Sequence, residues 1–240
     1  MVKRSKRYRE IAKKLEEDKE YTLEEAVHLL KEMASAKFVE TVDIAVKLGI
    51  DPKKSEQMVR GFVVLPHGTG KKKRIVVFAK GEKEIEAKEA GADYIGAEDL
   101  IEKISKGWFE FDAIVATPDM MKDVGKLGKI LGPRGLMPSP KTGTVTFEIA
   151  SAVKEIQAGK VDFRIDKGGV IHSPIGKIDF AEHQLVDNVL AFVDAVIKAK
   201  PPSAKGQYLR KVHISSTMGP GIKIQIIDIM NKLVQGAVVG

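Results

Sequence analysis

The chain has 240 residues, 43% hydrophobic and 30% charged, which is enough apolar side chain for packed cores and excludes a disordered chain. It contains no cysteine, so disulfides, thiolate metal sites and cysteine nucleophiles are excluded and a reducing cytoplasm fits. A net charge of +7 points to a polyanionic partner.

Met1 to Glu20 alternates Lys/Arg with Glu and lacks the apolar centre of a signal peptide. No apolar run approaches the roughly 20 residues of a bilayer span, so neither secretion nor membrane insertion is expected. Thr22-Leu-Glu-Glu25 predicts a capping box opening a helix whose face is Ala26, Val27, Leu29, Leu30 and Met33. From Thr41 the period becomes two, with Val42, Ile44, Val46 and Leu48 forming a half-buried strand that ends at Gly49. Asp51 to Lys54 reads as a turn, and Gly61 to Leu65 as a second strand stopped by Pro66.

The middle of the chain has another rhythm. Strands are predicted at Arg74 to Phe78, Tyr94-Ile95 and Asp112 to Thr117, and helices at Glu82 to Ala90, Leu100 to Ser105 and Met120 to Val124. Short apolar strands alternating with helices argue for parallel βαβ units. After Gly159, Lys160 to Ile165 and Val170 to His172 read as a hairpin around Lys167-Gly-Gly169. Phe180 to Lys200 reads as a long helix stopped by Pro201-Pro202, and Tyr208 to Thr217 as a last alternating strand. The expected fold is therefore α/β and α+β in two domains. A discontinuous two-layer α+β domain, 1–66 plus 160–240, is interrupted by a Rossmann-like insert, 67–159. The charge divides in the same sense: residues 68–159 carry 15 Lys/Arg against 14 Asp/Glu, and the remainder carries 25 against 19, so the terminal segments are the better candidate for meeting phosphate.

Few motifs demand chemistry. The five histidines, at 28, 67, 172, 183 and 213, form no i, i+4 metal pair, and no Gly-x-Ser-x-Gly elbow exists. His67 to Arg74 lacks the glycine and Ser/Thr of a Walker loop and reads as a basic turn between domains. No cofactor is expected, and the rival reading, an enzyme holding a nucleotide on the insert, lacks its fingerprint. The stretch Gly125 to Pro138, with Lys126, Lys129 and Arg134, has two readings: a phosphate cradle of bare amides and cations, or a structural loop whose glycines supply positive backbone angles.

Three polar clusters stand at the ends of strands in the terminal segments. They are Lys37-Phe38 with Glu40 and Thr41; Arg164 to Lys167 with His172 and Ser173; and Ser215 to Gly219 with Thr217 and Met218. Cations for phosphate, hydroxyls for the 2′-OH and an exposed aromatic or Met make an RNA-recognising mixture, provided the three meet at one place.

Several stretches resemble the ribosomal protein L-one family in its bacterial form: Ala36 to Thr41, Leu48 to Ser55, Leu65 to Gly70, Phe111 to Pro118, Lys126 to Pro138, and Ser216-Thr-Met-Gly-Pro220. The resemblance implies a cytoplasmic, non-enzymatic protein of the large ribosomal subunit, a monomer when free. It implies binding to large-subunit ribosomal RNA at a mobile stalk, help with release of transfer RNA from the exit site, and repression of its own operon by binding the messenger RNA. It places RNA contacts on Lys37, Phe38, Thr41, Thr217, Met218 and Gly219, with Arg164, Lys167, His172 and Ser173 as a second group and Lys126, Lys129 and Arg134 as a secondary contact. Family members of this type usually stop soon after the Thr-Met-Gly-Pro strand, whereas here an apolar run continues from Ile222 to Gly240. That run is read as an added strand or helix, a partner contact, or an unstructured tail.

Overall fold

A computed structural model describes residues 5–16 and 19–239; residues 1–4 and 17–18 of the N-terminal arm and Gly240 of the tail lie outside the described residues. The protein is mixed α and β, and the chain divides into two compact units, Met1–Gly70 with Val161–Gly240, and Lys71–Lys160.

The first unit begins with α1 (Lys6–Ala12), α2 (Leu23–Met33), β1 (Thr41–Leu48) and β2 (Arg60–Val64). The capping box forms at the start of α2: the Thr22 hydroxyl accepts the Glu25 amide, and the Glu25 carboxylate accepts the Thr22 amide at 3.1 Å. The second unit holds β3 (Ile75–Phe78), α3 (Glu82–Glu89), β4 (Tyr94–Gly96), α4 (Glu98–Ser105), β5 (Ala113–Ala116), α5 (Met121–Val124), α6 (Gly128–Leu131) and α7 (Ile149–Ala158). The chain then continues through β6 (Lys160–Arg164), β7 (Val170–Lys177), α8 (Glu182–Lys198), β8 (Leu209–Ser216), β9 (Ile222–Ile224) and α9 (Ile226–Val239).

In the first unit β7, β1, β8 and β9 make one antiparallel sheet in that order. Its inner face puts Val42, Ile44, Val46 and Leu48 into a core with Leu30 of α2, Val189 and Phe192 of α8, and Ile229 of α9. Burying each such side chain contributes on the order of 1.5–3 kcal/mol, which is why the period-two pattern fixes the register. The outer face carries Thr41, Asp43, Ala45 and Lys47, only partly covered, with His172 and His213 flanking Ala45.

The hairpin expected around Lys167 is a correction. β6 pairs with β2 in a separate two-stranded sheet and β7 pairs with β1 in the larger one. Only an isolated bridge, Ile165 to Ile171, joins the two arms, because the tight turn from Asp166 to Gly169 hands the chain from one sheet to the other. Residues 67–70 stay with the first unit for a visible reason. Asn188 is fully buried on α8; its Oδ1 accepts the His67 amide at 3.1 Å, and its Nδ2 donates to the Gly68 and Ile175 carbonyls at 3.0 and 2.7 Å.

In the second unit β4, β3 and β5 are parallel, and β3 is buried along its whole length. Val76 and Phe78 face Leu100, Ile104 and Met120, while Ile75 and Val77 face Ala87, Ile149 and Val153, so helices cover both sides of the sheet. Gly125 to Pro138 is not the long loop anticipated. A 3-10 turn over Gly125–Leu127 leads into α6, with Leu127 and Leu131 buried. Gly125, Gly128 and Gly132 have right-handed angles near φ −56, and only Gly135, at φ 70, takes the positive one. At Gly132 a Cβ would meet the Gly128 carbonyl oxygen at 2.6 Å, so close approach accounts for that glycine.

Candidate nucleic-acid interface

The start of β1 and the end of β8 are neighbours, and this joins the first and third polar clusters. The Thr41 amide donates to the Thr217 hydroxyl at 3.0 Å, the Thr217 amide donates to the Thr41 carbonyl at 3.0 Å, and the Thr217 hydroxyl reaches the same carbonyl at 3.3 Å. Lys177 of β7 donates to the Thr41 hydroxyl at 2.7 Å.

Beneath them lies Glu40, 1% exposed. Its carboxylate accepts the Met218 amide at 2.9 Å and the Ala36 amide at 3.2 Å, and the Ser216 hydroxyl bonds to it as well. Burial pushes this carboxyl up, but the Ser216 hydroxyl, the two amides and the Arg7 charge outweigh it and hold the group below the ordinary range. Glu40 thus clips the 36–40 loop to the 216–219 turn. The sequence held a signal for this role, since Glu40 shares the parity of Val42 and Ile44 and must point inward, where a carboxylate needs donors.

The clip holds large side chains out in water. Phe38 is 54% exposed and Met218 is 47% exposed, on two stretches whose backbones are pinned to each other, and Lys37 is exposed beside them. Gly219 closes the turn through its amide to the Ser216 carbonyl at 3.1 Å, and a Cβ there would meet the Ser216 hydroxyl at 2.6 Å. Apolar side chains kept in water on a pinned backbone, next to amides, hydroxyls and a cation, form a preorganised surface for stacking and hydrogen bonding.

The second cluster stands elsewhere. Thr41 pairs with Lys177 while Lys47 pairs with Val170, so the 164–169 turn lies at the far end of β1, six residues or about 20 Å from Thr41. The three stretches therefore do not meet at one place; two do, and the third lies at the other end of the same sheet. There Arg164 and Lys167 are exposed, and the Lys47 ammonium donates to the Gly168 carbonyl. The Asp166 carboxyl is held low, first by the Val170 amide at 2.8 Å. His172 is exposed on the outer face, its Nε2 3.9 Å from Asp166. Ser173 faces the other way: paired with Ile44, it is 3% exposed and its hydroxyl sits at 3.5 Å from the Pro174 carbonyl. The Ile171-Ser173-Ile175 alternation carried that inward orientation.

In the second unit Lys126 pairs with Asp123 at 2.8 Å, Arg134 stacks 3.9 Å over the Phe109 ring, and Lys129 is exposed. The amides that one of the two readings of this stretch gives to phosphate are partly spent on helix bonds such as Gly132 to Gly128 at 2.9 Å. Among the described residues no group of three or more His, Asp or Glu is placed to hold a metal, and no helix is long and apolar enough to cross a membrane.

A comparison with known families matches residues 30–220 to the ribosomal protein L1p/L10e family. The match takes in Glu40, Thr41, the 216–219 turn and the whole second unit, and leaves α1 and the β9–α9 extension outside it. With most of the chain covered, the protein belongs to the ribosomal protein L1p/L10e family, whose members bind ribosomal RNA in the cytoplasmic large subunit as structural, non-enzymatic components.

Proposed function

We propose that the protein holds the ribosomal RNA of the mobile stalk of the large subunit, that it assists release of transfer RNA from the exit site, and that it represses its own operon by binding a similar structure on the messenger RNA. The stalk, transfer-RNA and repressor roles come from the family resemblance. The observation that supports the RNA site is the pinned junction of Thr41 with Thr217 and of Glu40 with Met218, which presents Phe38 and Met218 to solvent. Lys37, Phe38, Thr41, Thr217, Met218 and Gly219 form its centre. A folded RNA lying along the outer sheet face from this junction reaches His172, Lys167 and Arg164 at the far end, which act as peripheral phosphate contacts. Ser173 takes part only through the shape of β7.

In this reading the first unit is the main RNA-binding domain and the second a Rossmann-like insert. Lys126, Lys129 and Arg134 on the insert add a secondary contact. Crosslinking the protein in intact ribosomes and mapping the joined nucleotides tests the assignment: stalk nucleotides attached at Phe38 and Met218 support it, and crosslinks confined to the insert overturn it. The repressor role is tested by binding to the protein's own messenger RNA leader in competition with ribosomal RNA. One shared site gives mutual displacement, and simultaneous binding removes that role.

A further inference from the structure

Two stretches, 36–41 and 216–219, build the junction described above, and a third reaches it from outside the residues matched by the family. Helix α1 is docked on the first unit by Ile11, which is buried in the same core as α2, and by Lys14, paired with Glu32 at 2.6 Å. Arg7 lies one turn before Ile11 on the same side of the helix, so the packing that seats Ile11 also directs Arg7 towards the body. Its guanidinium donates to the Ser35 hydroxyl at 3.0 Å and to the Met218 carbonyl at 3.3 Å, and its charge acts on the Glu40 carboxylate.

The two bonds use one N–H from each terminal nitrogen and leave further donors of the fork beside a half-exposed Met218. Arginine is suited to such a double task, because its planar donors brace a turn on one edge while meeting an anion on another. The geometry points to Arg7 as a further RNA-binding residue, one that braces the Met218 turn from the N-terminal arm and meets a backbone phosphate of the RNA lying on Phe38 and Met218. This rests on reading the junction as the RNA site. The opposing account is an arginine that braces the turn and touches no phosphate.

Salt dependence separates the two accounts, since each phosphate neutralised adds close to one to the slope of log affinity against log salt. Wild type, Arg7→Gln, Arg7→Lys and Thr217→Ala are compared as full-length proteins in filter binding to purified large-subunit ribosomal RNA across a salt series. Arg7→Gln keeps a donor but no charge and is expected to weaken binding about tenfold and to lower the salt slope by about 1. Arg7→Lys is expected to keep the slope and lose part of the affinity, because a single ammonium does not span Ser35, Met218 and a phosphate together. A wild-type slope in Arg7→Gln overturns the assignment even if affinity falls, for then Arg7 only braces the turn. Loss of affinity in Thr217→Ala with no change of slope in Arg7→Gln removes Arg7 alone, whereas undiminished binding by Thr217→Ala removes the site itself.

Discussion

Thr41 and Thr217 stand 176 positions apart in the chain, yet the Thr217 hydroxyl accepts the Thr41 amide at 3.0 Å and reaches the Thr41 carbonyl at 3.3 Å. One side chain thereby completes the bonding of a backbone pair at the mouth of the proposed RNA site. Thr217→Val keeps the shape and removes the hydroxyl, leaving the Thr41 amide without its partner. A stability loss of about 1–2 kcal/mol is expected, with RNA affinity reduced tenfold or more, while Thr217→Ser retains both. Lys72, exposed in the second unit, is the comparison: Lys72→Ala should change affinity little. Equal losses for Thr217→Val and Lys72→Ala in filter binding would remove the junction from the RNA site.

Phe38 and Met218 separate stability from binding. Both are about half exposed, so truncation removes little packing and should move the unfolding free energy by no more than about 0.5 kcal/mol. Bases stacked on such side chains contribute on the order of 1–3 kcal/mol each, so Phe38→Ala and Met218→Ala should each weaken RNA binding roughly fivefold to a hundredfold. A thermal melt alongside the binding curve checks both halves. A variant that melts early yet binds normally would mark these side chains as packing groups.

Glu40 gives the junction a pH dependence with a definite sign. Its folded-state affinity for protons is lowered, burial opposing and the Ser216, Met218 and Ala36 donors prevailing. The unfolded chain therefore takes up the proton first, so the stabilisation is complete above the ordinary value of 4.5 and is lost as pH falls below it. Glu40→Gln weakens donor bonds that the charge had strengthened and should cost about 1.5–3 kcal/mol at neutral pH. The gap between wild type and Glu40→Gln should narrow on acidification below that value in urea titrations. A gap that is the same at pH 4 and pH 7 would show that the charge of Glu40 does not hold the clip.

The strands and helices were legible wherever a single period governed burial, as in the alternation from Val42 to Leu48, which the core enforces. Pairing was less legible. Lys160 to Ile165 and Val170 to His172 read as strands joined by a turn in any arrangement, and nothing local says that they enter different sheets. Glycines misled at Gly125 to Pro138, because a residue without Cβ suits a positive φ and a close helical approach alike, and Gly132 is there for the second reason. Proximity was harder still. The junction of Thr41 with Thr217 depends on β8 lying beside β1, and the distance of Lys167 from that junction depends on β7 running antiparallel to β1. The inward orientation of Ser173 is readable from the parity it shares with Ile171 and Ile175, whereas residue type alone groups its hydroxyl with those of the RNA-facing cluster.

The extension beyond the family match tests whether an added segment supports the fold or the site. β9 pairs with β8 through Ile224 and Val212, and Tyr21 closes its other side, its amide donating to the Lys223 carbonyl at 2.9 Å, so the strand offers no open edge there. In α9 Ile229 is buried in the core of the first unit, and Asp228 accepts the Leu23 amide at 2.8 Å, one of the free donors at the start of α2. These are contacts on the inner face of the sheet, with the junction of Thr41 and Thr217 built around a different set of partners. Ile229→Ala should therefore cost about 2–5 kcal/mol in denaturant unfolding, and Asp228→Ala about 1–2 kcal/mol. Both variants, assayed where they remain folded, should bind ribosomal RNA within about twofold of wild type, since a fully populated native state leaves affinity to the site alone. Weakened RNA binding by a folded Ile229→Ala protein would mean that the extension shapes the RNA surface, and its role would then have to be moved from stability to recognition.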